Sequence, residues 1–388
     1  MDDMRFFHHY MIMAYPHLPD GTDTMWITEI PLLAHEYKFL MHALLSLGAS
    51  HLCLVTMNGL APEEMRNYST MLSHRSLALR GLQQSMDKQA QATPLTASAM
   101  PNITRLNAML ATCYALTTQS CHLRDGFMDF VILIRGCARI TSHIAALTGL
   151  DPYCLPRNVK EVSDPRKNFQ PLGNGTSKGL NADPGNPIDI GIKMCDVKLL
   201  AESLRLMIPL LQHECHQDYH AALLETTEAL QRGEWIDAFN SFQKTYVILC
   251  TIDEAAFQNY ILPPLRAGGG AETEAEMGKN GMFLVLFIHL TALKVAMYPM
   301  FWRVLPERAR FPQAIFQQGG WLIDISAQVP PVLHGYAVLP LEVIVRAGDE
   351  YGMFKSEPGE RLREELIARA EKMRWNGLCY GKYMDIHM

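Results

Sequence analysis

The chain has 388 residues, with 34 Lys and Arg against 40 Asp and Glu for a formal net charge of −6. It has no Lys/Arg cluster of the kind that neutralises phosphates, which argues against nucleic-acid binding by this chain itself. Apolar residues make up 48% and charged residues 19%, enough to bury a large core, with long amphipathic side chains covering much of the surface.

Taken in order, MRFFHHYMIMAY over residues 4–15 predicts a short first helix, stopped by Pro16, Pro19 and Asp20-Gly21. A loop through Trp26 is expected to lead into LMHALLSLGASHLCL, residues 40–54, which has almost no polar face and reads as a helix buried on most sides. Its Gly48 and Ala49 leave room for another helix or a ligand to approach the backbone. Pro62-Glu63-Glu64 opens a helix to about Met86, read with Tyr68, Leu72, Leu79 and Leu82 on its apolar face and Arg66, Arg75 and Arg80 among its polar positions. Asn102 or Thr104 caps the next helix, and Gly126 to Ala146 gives another, where Arg135 is expected to pair with Asp125 or Asp129.

Residues 151–192, rich in Pro, Gly, Asn and Asp, read as a flexible linker. Helices resume at Met194, at Tyr219 to Arg232 and at Glu234 to Cys250; residues 264–280 read as a flexible loop. The apolar run Gly281 to Phe301 is long enough to span a bilayer, but it carries His289, Lys294 and a Pro near its end, and reads as a buried core helix, not a membrane span. A short helix at Ile315 to Gln328, a turn at 330–335, the segment Leu339 to Val345 and a charged helix Pro358 to Trp375 complete the chain. There is no internal repeat and no alternating strand pattern. The class is therefore all-α, a single domain over 1–388 with about ten to twelve helices around the buried one.

The chemistry-bearing residues are sparse. Nine Cys show neither a CxxC pair nor the six-Cys spacing of a zinc cluster, and most lie in apolar helical runs, as in a reducing, intracellular compartment. His213, Cys215, His216 and His220 share part of a helix, but the order HECH lacks the HExxH geometry, so a solvated polar face is expected and no metal. His42, His51 and His74 sit on largely apolar helices, where a hydrogen-bonded core role outweighs acid–base chemistry. No nucleophile elbow, P-loop or dinucleotide fingerprint is present, and no cofactor is expected. Twenty-three Met suit an adaptable apolar cavity or, more ordinarily, gap filling between irregularly packed helices.

With MRFFHHY, residues 40–54, YSTMLSHRSLAL from Tyr68, NAMLATCYAL from Asn107 and DFVILIRG ending at Gly136, the chain resembles the ligand-binding and activation domain of fungal zinc-cluster transcription factors, sterol-uptake regulators in particular. The resemblance is clearest over the first 150 residues and rests later on LPLEVIVRAGDEYG. It implies a deep apolar pocket for a lipid, with a glycine-bearing C-terminal segment controlling its mouth, a location in cytoplasm or nucleus, and a DNA-binding module N-terminal to this domain. The candidate ligand-binding residues are Met41, Leu45, Met282, Leu286, His289, Met297, Tyr298, Leu341, Ile344, Val345 and Gly348. Core packing alone explains the same residues and is the more ordinary reading of any single one.

Two functions follow. One is a ligand-sensing regulator holding a sterol or other hydrophobic small molecule, a homodimer being a fair expectation. The other is a cofactor-independent cyclase or isomerase that folds a polyene, terpenoid or polyketide intermediate in the pocket, with His42, His51, His289 or Tyr298 as its polar groups.

Overall fold

The structure, a computed structural model, describes residues 2–16, 23–56, 62–91, 99–149, 192–261, 274–300 and 312–384. All secondary structure among them is helical. The linker expected at 151–192 lies outside the described residues apart from Ile192, as does 264–273 of the second expected loop; from Glu274 the backbone is already helical. The chain divides into two compact units, Met1–Arg157 and Asn158–Met388.

The N-terminal unit comprises α1 (Asp2–His9), a π-helical turn Tyr10–Ala14, α2 (Asp23–Glu36), α3 (Lys38–Thr56), α4 (Pro62–Gln91), α5 (Ala99–Ser120) and α6 (Phe127–Thr148). Its hub is α3, packed against α1, α2, α4 and α5, with an unbroken buried run from Ala43 to His51. This is the buried helix the sequence predicts. The close approach at Gly48 is made by a helix: a Cβ there would lie 2.2 Å from the carbonyl oxygen of Phe6 in α1.

Two expectations need correction. The stretch through Trp26 is no loop but α2, helical despite Pro31. Met25, Trp26, Ile30 and Ala34 recur at helical spacing and are buried, and the Tyr10 hydroxyl donates to the Trp26 carbonyl at 2.8 Å, so packing outweighs the backbone bond that Pro31 removes. The apolar face expected of α4 shares only Leu82 with the side that is buried. The buried side carries Asn67, Met71, His74, Arg75, Ala78, Leu82 and Ser85, whereas Tyr68, Leu72 and Leu79 are exposed.

The C-terminal unit comprises α7 (Met194–Met207), α8 (Glu214–Arg232), α9 (Trp235–Thr251), α10 (Glu274–Ala296), α11 (Pro312–Gln328), α12 (His334–Glu350) and α13 (Glu357–Met384). Here α10 is the hub, packed against α7, α8, α11 and α12, and from Gly281 to Leu293 every residue is buried. Pro340 sits inside α12, so Leu339 to Val345 belongs to a longer helix than expected.

Among the described residues, α3 and α6 are long and apolar enough to cross a membrane by length and composition, whereas the apolar part of α10, Gly281–Ala296, is too short by that test. Within the fold, 61% of the apolar window of α3 and 56% of that of α6 is buried against protein.

Candidate functional site

In the N-terminal unit several polar side chains that face inward bond to one another. His74 on α4 donates from Nε2 to the Asp3 carboxylate of α1 at 3.2 Å, and its Nδ1 lies 3.0 Å from His42 Nδ1 on α3. A carboxylate only accepts, so Nε2 is the His74 donor to Asp3, and the two Nδ1 atoms of His42 and His74 share one hydrogen between them. A second pair, His9 Nε2 and His51 Nδ1, is 2.8 Å apart. The ring of His122 lies 5.7 Å from that of His51 and its Nδ1 is 2.9 Å from the Ser50 hydroxyl. The Arg5 guanidinium donates to Asn67. These contacts tie α1 to α3 and α4 across the Gly48 approach.

Arg75 completes the network from the other side of α4. It is buried and donates to the Gln119 side-chain oxygen, to Ser120 Oγ at 3.2 Å and to Asp129 Oδ2 at 2.6 Å. Asp129, one of the two carboxylates expected near Arg135, accepts from Arg75. This explains why an arginine occupies the buried face of α4: its donors are met by buried acceptors and one half-exposed carboxylate.

Burial holds the His122 imidazole down at about 3, with His51 adding to the effect. It also lowers His9, with His8 contributing, and His42, with His74 contributing. His42 further lines a cleft of about 410 Å³ between α3 and α4, where Lys38, Arg80 and Lys88 supply positive charge and Phe39 and Gly81 the apolar floor. Asp3, His9 and His122 were not among the sequence candidates. Nothing in local spacing marks them, since Asp3 and His74 are 71 positions apart.

The candidate ligand-binding set is divided between the units. Leu45 is buried in a small cluster with Phe6, Ala49, Met71 and Leu123, and Met41 packs half-buried against it. The others lie in the C-terminal unit, where α10 and α12 pack together. Met282, Leu286 and Met297 are buried on one side of that pairing, and Leu341, Ile344 and Val345 on the other. Tyr298 is half-buried, its ring 5.7 Å from that of Tyr351. Gly348 leaves space for the Phe354 ring, which a Cβ would meet at 2.3 Å.

His289, in the middle of α10, has both ring nitrogens engaged. Nδ1 donates to the Val285 carbonyl at 2.9 Å, which leaves Nε2 to accept from the Ser203 hydroxyl of α7, also at 2.9 Å. Burial lowers its imidazole to about 4, so it is neutral at pH 7. A neutral imidazole with both positions satisfied is built for holding α7 to α10.

The histidines of α8 form no solvated face. His216 and His220 are buried; His220 Nε2 donates to the Leu204 carbonyl at 2.7 Å, and the His213 ring stacks on Tyr260 at 3.8 Å. Packing against α7 and the π-helical turn Phe257–Ile261 covers them, a burial that helix periodicity does not reveal. Among the described residues no group of three or more His, Cys, Asp or Glu is placed to hold a metal ion.

Comparison with known proteins bears on the N-terminal unit. Residues 5–151 match the fungal specific transcription factor domain. A stretch of 87 residues is 38% identical to sterol uptake control protein 2 of Saccharomyces cerevisiae, covering 22% of this chain and 9% of that protein. No solved structure matches the chain. The N-terminal unit, with its buried α3 and its histidine and arginine network, is thus the part of the chain that matches the fungal specific transcription factor domain.

Proposed function

We propose that this chain is the ligand-sensing part of a fungal regulator, acting in the nucleus or cytoplasm, and that it takes up a sterol or other hydrophobic small molecule. The observation that carries the reading is the match of residues 5–151 to the fungal specific transcription factor domain, and the similarity of one stretch to a sterol uptake control protein supports the ligand class. The apolar layer of α10 and α12 is the proposed binding region, with Met282, Leu286, Met297, Leu341, Ile344 and Val345 as its wall, Tyr298 as its polar group, and Gly348 beside Phe354 at its mouth. Methionines suit it because their unbranched side chains repack around a guest at little cost. Ligand would work by favouring one packing of these helices over another, in proportion to its differential affinity for the two. The cyclase or isomerase reading gains nothing from His289, whose nitrogens serve the protein's own hydrogen bonds.

Native mass spectrometry of the purified chain after exposure to a lipid extract tests the reading. A sterol or lipid retained unchanged, together with a higher melting temperature when that compound is added back, is the expected result. Retention of nothing, with no thermal shift from any sterol in the extract, would remove the ligand class; recovery of a rearranged product would move the chain to the enzymes.

A further inference from the structure

The exposed side of α4 carries an apolar repeat. Met65, Leu72, Leu79 and Met86 are exposed by 65%, 42%, 36% and 41%, and each follows the last by seven residues. Between them lie Ser69, Ser76 and Gln83, all exposed, which gives the 4–3 spacing of a coiled-coil seam with small or neutral residues at alternate positions. Buried α4 residues such as Met71, Ala78 and Leu82 lie on a different side of the helix. The seam runs about 31 Å from Met65 to Met86 at the α-helical rise. A straight helix drifts by about 20° per heptad, so this pattern suits a second helix that winds gently around it.

We infer that α4 is the homodimer interface of this protein, paired antiparallel with α4 of a second copy about a two-fold axis beside Ser76. That register sets Leu72 against the partner's Leu79 and Met65 against the partner's Met86, each contact occurring twice. It also brings Arg66 beside the partner's Asp87, so that the flanking charges complement one another. The surface is self-complementary, as an isologous interface must be. The pairing is independent of any ligand, and its failure leaves the proposed function standing.

Two measurements on the full chain test it. Sedimentation across a concentration series is expected to give a dimer whose dissociation constant rises about 30-fold or more in the Leu72→Gln/Leu79→Gln variant, since two anchor-sized contacts are lost. Arg66→Asp is expected to weaken the dimer and Arg66→Asp/Asp87→Arg to restore it. In a Ser69→Cys/Gln83→Cys variant, oxidation and peptide mapping are expected to find residue 69 joined to residue 83 of the other copy. Within one helix those positions are about 21 Å apart and cannot be bridged. A chain that stays monomeric, a dimer indifferent to the α4 substitutions, or a map showing 69 joined to 69 would overturn the antiparallel pairing. A monomer in which these variants alter hydrogen exchange in residues 192–384 would identify the C-terminal unit as the occupant of the seam instead.

Discussion

Gly48→Ala sets two effects of opposite sign against each other at the contact of α1 with α3. Replacing a mid-helix glycine by alanine stabilises a helix by about 0.5–1 kcal/mol when nothing else changes. Here the new Cβ would sit 2.2 Å from the Phe6 carbonyl oxygen and 3.1 Å from Tyr10 Cβ. Ordinary contact begins at 3.4 Å, so α1 must retreat by about 1.2 Å. The obstacle is backbone, which cannot swing aside as a side chain can. Overpacking of this kind costs about 1–3 kcal/mol, and the retreat also stretches the bonds of Asp3 to His74 and of His9 to His51. The clash therefore outweighs the propensity gain, for a net loss of about 1–2 kcal/mol. With about 2–4 °C per kcal/mol for a unit of this size, the melting temperature of the N-terminal unit should fall by about 2–8 °C. Calorimetry reads the fall, and hydrogen exchange should show lost protection concentrated in α1. A melting temperature raised by the propensity gain alone would refute the packing argument.

Acid should destabilise both units. His122 is held at about 3, and His216 and His289 at about 4, all chiefly by burial, against 6.5 when unfolded. The unfolded chain binds the extra protons, so this stability is present above about pH 6.5 and is lost progressively as the pH falls toward the folded values. Each histidine loses about 2 kcal/mol between pH 7 and pH 5, which urea denaturation at the two pH values measures; equal midpoints would contradict the burial of these rings. Ser203→Ala removes the donor to His289 Nε2 and should lower stability by about 1–3 kcal/mol, whereas the double change with His289→Phe should recover part of the loss if that hydrogen bond is what matters. Arg75→Met strands Gln119 inside the protein while Asp129, half-exposed, can turn to water. The expected cost is about 2–3 kcal/mol, and a variant as stable as the parent would show that the network is dispensable.

The sequence by itself determined the helical class, the near-complete burial of α3 and α10, and several helix ends, because apolar spacing and Pro or Gly punctuation act within one or two turns of chain. It also marked Gly48 as a place of close approach without saying what approaches. Only the tertiary structure decided that α1 fills that place, that the stretch around Trp26 is helical across Pro31, and that α4 buries Asn67, His74 and Arg75 while showing Leu72 and Leu79 to solvent. For α4 the reason lies in its partners. A polar side chain is acceptable inside the protein only when its partners are supplied, and those partners, Asp3 for His74 and Gln119 and Asp129 for Arg75, come from other helices 44 to 71 positions away. Local periodicity reads hydrophobicity one helix at a time and assigns such residues to the surface; the fold brings their partners to them and leaves the leucines on the outside.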